Sequence, residues 1–417
     1  MLQSKLFTKT KKEIPADETS NNAKLLIQAG YVFKEMAGVY TILPLGMRVI
    51  KKIEDIIREE MNNIGGIEMK TSIIQTKDIW EKTNRWNDEI VDNWFKTKLK
   101  NGTEVGLSFT NEEAYANIMK HYISSYKDLP IYPYDFKTIF RNEARSKSGL
   151  MRGREFYWKA LYSFSKNKEE HDRFYEKAEE AYRKVFDRVG LGEKTYLTFA
   201  SGGTFSRFSH EFQTLSEAGE DTIYVDEEKK IAVNKEVLTD EVLADLEIDR
   251  ENLVEKKAIE VGNIFSLGYK FSDPIDLNYK NNAGGEEKVY MGSYGIGITR
   301  LMATIVEIFS NDKGIIWPEA VAPFKIHLVS LFRNYGDEVY KISEEIYEKL
   351  HSKGVEILFD DREGKSVGEK LSDADLIGTP IRVIVSEKSL ESGGVEMKRR
   401  NEVESTILNI SEFLESF

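Results

Sequence analysis

Arginine and glutamate crowd the stretch FRNEARSKSGLMRGREF at residues 140–156. Read as a strand, Arg141 and Glu143 are two apart and project from one face, while Arg145, Lys147, Arg152 and Arg154 load the following loop with cations. A guanidinium is a planar fork suited to bidentate contact with phosphate, so several of them around one acid suggest a polyphosphate ligand that also carries an amine. Glu143 could accept from that exocyclic amine. Phe156 and Trp158, on the strand that follows the cationic loop, offer flat faces for an adenine ring, although an aromatic strand face is also plain core. Taken alone, the Arg141–Glu143 pair also fits a solvated surface hairpin.

Two further segments carry weaker signals. In MGSYGIGITRLMATIVE (291–307), Gly292, Gly295 and Gly297 permit close backbone approach and Arg300 falls near the start of a helix. The spacing is neither GxGxxG nor a P-loop, and tight strand-to-helix packing accounts for it equally well. In LSFTNEEAYANI (107–118), Thr110 and Glu112 stand two apart, but Thr110 with Glu113 three residues on reads as a helix capping box. The five histidines, His121, His171, His210, His327 and His351, show no metal-ligand spacing, so no metal centre is assigned to side chains. Of these only His210, between aromatics in FSHEFQ, is singled out. Asp360, Asp361 and Arg362 end a C-terminal strand, where open α/β sheets place ligands.

The elements that must position these residues follow from periodicity. Val49, Ile50, Ile53, Ile56, Ile57, Met61 and Ile64 recur at helical steps over 46–66 and stop at Gly65-Gly66. Between 137 and 164 the period becomes two, with Phe156, Trp158, Ala160, Tyr162 and Phe164 on one face, predicting two antiparallel strands joined by a long basic loop. A helix is predicted over 167–189 and strands and turns over 195–234. Beyond 317–324 (WPEAVAPF) strands and helices alternate to a final helix near 403–416, the pattern of a small α/β domain on a mostly parallel sheet. Two domains are expected: residues 1–321, an α+β domain built on an antiparallel sheet with helices, and residues 322–417, a small α/β domain.

Composition removes several function classes. With 417 residues, 41% hydrophobic and 31% charged, the chain reads as folded and globular. It has no Cys, which excludes disulfides, thiolate metal sites and a cysteine nucleophile. The net charge of −12 argues against a general nucleic-acid coat but leaves room for a local basic stripe. The start carries no apolar leader, and the most apolar later segment, 315–332, contains Pro, Glu and Lys, so a soluble cytoplasmic protein without a membrane span is expected.

Together and in order, these segments resemble class II aminoacyl-tRNA synthetases, and within them the prolyl-tRNA synthetase family. FRNEARSKSGLMRGREF with WKALYSF is similar to the second class motif, and GSYGIGITRL to the third, with Arg300 as its arginine. Thr110-Asn111-Glu112 matches the family's Thr-x-Glu loop, residues 209–212 its Ser-His-Glu-Phe segment, and 360–383 the shared anticodon-binding domain. The resemblance implies that proline and ATP form prolyl-adenylate and pyrophosphate, and that proline then passes to the terminal ribose of tRNA(Pro). Arg141 and Arg300 would be catalytic. ATP would meet Arg141, Glu143, Arg152, Phe156 and Arg300, with Mg2+ neutralising charge. Proline would meet Thr110, Glu112, Arg141, Trp158, His210 and Ser293. Asp361, Arg362 and Lys370 are candidates for anticodon contact, and a homodimer is implied, built partly on the 46–66 helix and the strand after it.

Four departures from the family pattern stand out. Ser72 replaces the proline that ends the first motif, Phe205-Ser206 replace a glycine pair, and Ala160 replaces an Asp. The interval from Phe164 to Val289 leaves no room for the large editing domain that many bacterial members insert. A non-catalytic paralogue would be signalled by loss of Arg141, Glu143 or Arg300, and all three are present. The threonyl sibling requires a zinc with a cysteine ligand.

Overall fold

The computed structural model describes residues 1–146, 148–201 and 208–417; Lys147 and the Phe205-Ser206 pair lie outside the described residues. The chain divides into two compact units, one comprising Met36–Val39 and Ile53–Thr304, the other Met1–Glu35, Tyr40–Lys52 and Ile305–Phe417.

The period-two text of residues 137–164 forms the two expected antiparallel strands, although the first ends at Phe140, short of Arg141 and Glu143. Strands Pro133–Phe140 and Glu155–Ser165 pair antiparallel, with Tyr134 opposite Leu161 and Phe140 opposite Glu155. They belong to a sheet of nine strands among the described residues. Beyond Glu155–Ser165 come Tyr290–Gly297 and then the sixteen-residue Leu253–Gly268, both antiparallel to their neighbours. Leu253–Gly268 pairs with Phe208–Leu215 along one stretch and with Asp221–Asp226 along another. The remaining pairings through Thr195–Ser201 and Ile231–Asn234 close this part of the sheet on itself. One face of Glu155–Ser165 shows the division of labour. Ala160, Tyr162 and Phe164 pack into a core with Tyr115, Leu277 and Met291, while Phe156 and Trp158 on the same face remain half-buried. Helix Lys168–Arg188, capped by the Asn167 side chain on the Glu170 amide at 2.9 Å, lays Phe174, Ala178, Tyr182 and Val185 against the sheet.

In the other unit, strands Ile357–Asp360, Ile326–Ser330 and Ile381–Val385 are parallel, joined by helices Glu338–Ser352 and Val367–Ile377. Two antiparallel strands, Val395–Arg399 and Thr406–Leu408, extend this sheet, and the last helix is only Ile410–Glu415. The predicted helix near 403–416 is corrected accordingly. Val395 and Met397 pack on the core with Glu396 and Lys398 between them, a period-two signal too short to read among so many charges. The beginning of the chain joins this same sheet: the Phe359 amide donates to the Met1 carbonyl at 2.9 Å, and Ser4 binds Asp361 through its amide and hydroxyl.

Tyr31 and Trp317 meet at the Ile377 carbonyl, which accepts from the Tyr31 hydroxyl at 2.7 Å and from Trp317 Nε1 at 3.1 Å; Trp317 Nε1 also donates to the Tyr31 hydroxyl at 2.8 Å. Tyr31→Phe leaves the carbonyl one donor, so it should cost about 1 kcal/mol. The check is a lower urea midpoint at unchanged slope.

Candidate active site

A cavity of about 320 Å³ opens in the unit that holds the nine-stranded sheet. Arg141, Glu143, Arg152, Phe156, Trp158 and Arg300 all line it, although they come from three separate stretches of sequence. Strand Pro133–Phe140 ends before Arg141, so Arg141 and Glu143 do not share a strand face as their spacing predicts. The Arg141 amide still donates to the Arg154 carbonyl at 2.9 Å, and the Glu143 amide turns back onto the Arg141 carbonyl at 2.8 Å. A tight turn, and not pleat geometry, brings the two side chains to one wall.

The guanidinium of Arg141 lies 5.1 Å from the Phe109 ring, 5.4 Å from Phe156 and 5.1 Å from Trp158. Its Nε is buried without a hydrogen-bond partner among the described residues, as is Trp158 Nε1. Burial, reinforced by the positive charge of Arg300, pushes Arg141 down to about 10, which still leaves it a cation at neutral pH. Arg300 is anchored differently. Its Nε donates to the Met151 carbonyl at 2.8 Å, and its Nη1 donates to Glu260, to the carbonyl at 2.8 Å and the carboxylate at 3.1 Å. Arg152 is half-exposed and bridges Glu143 at 3.1 Å and Glu220 at 3.2 Å. Gly295 is required by this packing, since a Cβ there would stand 2.5 Å from the Trp158 ring. The arrangement is a slot for a flat ring beside Arg141, a cation that pairs with no carboxylate among the described residues.

A second cluster stands at the start of helix Glu112–Met119. The Thr110 hydroxyl donates to Glu112, and the Tyr162 hydroxyl donates to the other Glu112 oxygen at 3.2 Å. The capping box expected from Thr110 and Glu113 is absent. The cap position belongs to Asn111, whose side chain makes no cap bond and instead accepts from Lys137 at 2.8 Å and from Gln75 at 3.2 Å. Glu113 is fully buried and faces Thr83 and Arg85.

The other expected site residues are placed elsewhere. His210, half-buried on strand Phe208–Leu215, has its ring nitrogen 3.1 Å from the Tyr175 hydroxyl and packs on Phe199; it does not line the cavity. Ser293 sits opposite Tyr162 in the sheet register. Ala160 is buried in the core, and the Ser72 carbonyl accepts from Lys137. The three C-terminal candidates are all engaged within their own unit. Asp361 is bound by Ser4, Arg362 pairs with Asp360 at 2.7 Å and Asp373 at 2.9 Å, and Lys370 is buried with its amine on the Ser330 carbonyl at 2.8 Å.

Known proteins sharpen this picture. Residues 95–309 match the family described as tRNA synthetase class II core domain (G, H, P, S and T), and residues 320–417 match the anticodon binding domain family. The proline–tRNA ligase of Rhodopseudomonas palustris is 35% identical over 427 residues, covering 96% of both chains, and that of Ehrlichia canis is 34% identical over 430 residues, covering 100% of both. The chain belongs to the proline–tRNA ligase family. The fold is shared with a solved prolyl-tRNA synthetase from Cryptosporidium parvum complexed with L-proline and AMP, at a TM-score of 0.76 and 17% identity, covering 95% of this chain and 73% of that one. As a member of the proline–tRNA ligase family, it is an aminoacyl-tRNA synthetase. Between Phe164 and Val289 the described residues are taken up by helix Lys168–Arg188, sheet strands and the two short helices Asp240–Asp245 and Ser272–Ile275, without a separate inserted domain.

Sequence reasoning missed three residues of the site. Glu260 and Asn263 line the cavity from Leu253–Gly268, a strand so long that no local pattern marks which of its residues face a ligand. Arg85 was missed because it lies in irregular text between Trp80 and Trp86; the nearby aromatics were its only signal. Its guanidinium donates to Glu112 at 3.1 Å and Glu113 at 3.1 Å through one nitrogen and to the Thr110 hydroxyl at 3.2 Å through another. Burial disfavours the Glu112 anion, but Arg85 and the Thr110 hydroxyl outweigh it and hold the carboxyl below its usual range. For Glu113, burial wins: aided by the Glu112 charge against the pull of Arg85, it pushes this acid up to about 7.

The folded chain therefore keeps a proton on Glu113 where the unfolded chain, with an ordinary value near 4.5, has lost it. Stability at this residue is full below the unfolded value and falls as pH rises toward the folded one. Glu113→Gln cannot ionise, so its thermal midpoint should gain on that of the wild type between pH 5 and pH 8. A midpoint difference that does not change with pH would show that no such ionisation cost exists.

Proposed function

We propose that this protein activates proline with ATP to prolyl-adenylate and pyrophosphate and transfers the prolyl group to the 3′ end of tRNA(Pro). One observation carries the reading: Arg141 is enclosed by three aromatic rings with a buried, unpartnered Nε, on a cavity whose next cation is Arg300. Such a group is stabilised by an incoming anion, and a carboxylate with an α-phosphate supplies one at the reacting centre.

Catalysis by positioning and charge stabilisation needs no protein nucleophile. Arg141 is assigned to the proline carboxylate and the α-phosphate oxygens, and Arg300 and Arg152 to the β/γ end. Arg152, itself half-exposed, can exchange its pairing with the exposed Glu220 carboxylate for phosphate, because exposed pairs of that kind are worth about 0–1 kcal/mol. Phe156 stacks the adenine and Glu143 accepts from its exocyclic amine. Thr110 and Glu112 hold the secondary ammonium of proline, while Trp158, His210 and Ser293 are assigned to bounding its ring.

The donor chemistry of the cavity wall fits Mg2+. Glu220, Asp221 and Glu260 offer hard oxygen ligands there, and no three His, Cys, Asp or Glu among the described residues form a cage of their own. That matches an ion carried by nucleotide phosphates and one or two carboxylates, where it would neutralise phosphate charge.

Residues 1–321 are assigned to aminoacylation and 322–417 to the anticodon. The family further implies a homodimer in the cytoplasm; no helix among the described residues is long and apolar enough to cross a membrane.

ATP–pyrophosphate exchange by the purified protein against each of the twenty amino acids, without tRNA, tests the reading. Proline should lead with alanine a distant second. Silence with every amino acid, while tRNA still binds, would favour a non-catalytic paralogue. Arg141→Ala should abolish exchange. Glu112→Gln should raise the proline KM at least tenfold, and a value within about twofold of wild type would count against its role. Alanine lacks only part of the ring, a difference worth about 1–3 kcal/mol per methylene, so alanyl-tRNA formed by this enzyme should persist in its presence. Rapid deacylation by the purified protein would refute that expectation.

A further inference from the structure

The proposed function assigns Thr110 and Glu112 to proline but leaves open what fixes them. Both are polar groups at the start of a short helix, and a carboxylate on a mobile loop makes a poor receptor for a secondary ammonium, whose two hydrogens must each find an acceptor in a set direction.

The local chain shows how Arg85 reaches them. Helix Lys77–Glu81 ends in a turn in which Asn84 takes a left-handed φ of 58°, and the Arg85 amide folds back onto the Trp80 carbonyl at 3.0 Å. The guanidinium is thereby laid over the Trp80 ring at 5.0 Å, and the Phe271 ring lies 5.4 Å away. Trp80 is itself fully buried and tied by its Nε1 to Gln75 at 2.8 Å. Gln75 continues to Asn111, the residue between Thr110 and Glu112. From this fixed plane the fork of Arg85 touches Thr110, Glu112 and Glu113 together.

We infer that Arg85 is the positioning residue of the proline site: it holds Glu112 ionised and aimed, and orients the Thr110 hydroxyl, without itself touching substrate. This rests on the assignment of Glu112 to the proline nitrogen. Geometry favours an indirect role, because Arg85 does not line the cavity and both of its terminal nitrogens are engaged by side chains of the cluster. Charge supports the same conclusion. Arg85 is a cation, as the ring ammonium is, so it can act on that group only through the Glu112 carboxylate that lies between them. The other groups that act on Glu112 and Glu113 are Tyr162, which donates to Glu112, Lys270, and Arg141 across the site. Lys at position 85 would retain the charge and lose the fork, since an ammonium cannot serve three acceptors in one plane.

Two variants test the inference through pyrophosphate exchange, with proline and ATP titrated separately between pH 6.5 and 8.5. Arg85→Gln should raise the proline KM at least tenfold at pH 6.5 while the ATP KM stays within twofold. Without the guanidinium, burial is left to favour the neutral form of Glu112, so the proline KM of Arg85→Gln should fall as pH rises to 8.5, several-fold more steeply than that of the wild type. Arg85→Lys, which keeps the charge, should show a raised proline KM with the pH profile of the wild type, and it serves alone if Arg85→Gln does not fold. Equal increases in both KM values, or a wild-type proline KM in Arg85→Lys, would overturn the inference. Absence of proline-dependent exchange in the wild-type protein would instead remove the functional reading on which it rests.

Discussion

A cation confined by aromatic rings is the constraint around which the site is organised. Most buried guanidinium groups are neutralised by a carboxylate within the fold; Arg141 is held by the faces of Phe109, Phe156 and Trp158 and sits near a second arginine. That environment stabilises the charge only in part. The sheet must therefore be stiff enough to keep two like charges in place before any ligand arrives. Long antiparallel pairings on both sides of Glu155–Ser165 supply that stiffness.

The same strand face that presents Phe156 and Trp158 continues to Tyr162, and the polarity of the surroundings reverses along it. Near Trp158 stand the cations Arg141 and Arg300; near Tyr162 stands the carboxylate of Glu112. Four residues of strand span about 13 Å. A zwitterionic amino acid activated by a polyanionic nucleotide has its charges in that order, with ammonium at one end, carboxylate in the middle and phosphates beyond. The strand thus works as an electrostatic ruler whose graduations are set by the two-residue repeat.

How much of this was legible in the sequence depended on whether a residue lay in a regular element. Phe156, Trp158, Ala160, Tyr162 and Phe164 declared their common face through period two, and Arg300 through its place after a glycine-rich strand. Arg141 and Glu143 were identified from the residue types, though the geometry behind that reading was wrong, since a turn and not a strand aligns them. Thr110 and Glu113 resembled a capping box because a hydroxyl and an acid three apart have that meaning at most helix starts; here burial and Arg85 claimed both side chains. Arg85 itself lay in text without period, and its role depends on a left-handed turn at Asn84 that composition does not announce. At the other end of the chain, Asp361 and Arg362 read as charges at a strand end, where ligands bind, and Lys370 joined them as an anticodon candidate through the resemblance. The fold uses all three internally, because the first residues of the chain and the helix Val367–Ile377 cover that edge.

The chain's own beginning is part of that cover. Met1 and Ser4 bond to Phe359 and Asp361, and Tyr31 bonds to Ile377, so residues made early complete a sheet whose strands are made much later. On the ribosome, which emits the chain from its amino end, the unit built from Met36–Val39 and Ile53–Thr304 can assemble while its partner segments still lack their strands. The opening residues must wait, unpaired, through the synthesis of more than three hundred others. Their composition suits the wait: Lys5, Lys9, Lys11 and Lys12 make this segment strongly polar, which keeps it hydrated until the sheet that receives it exists.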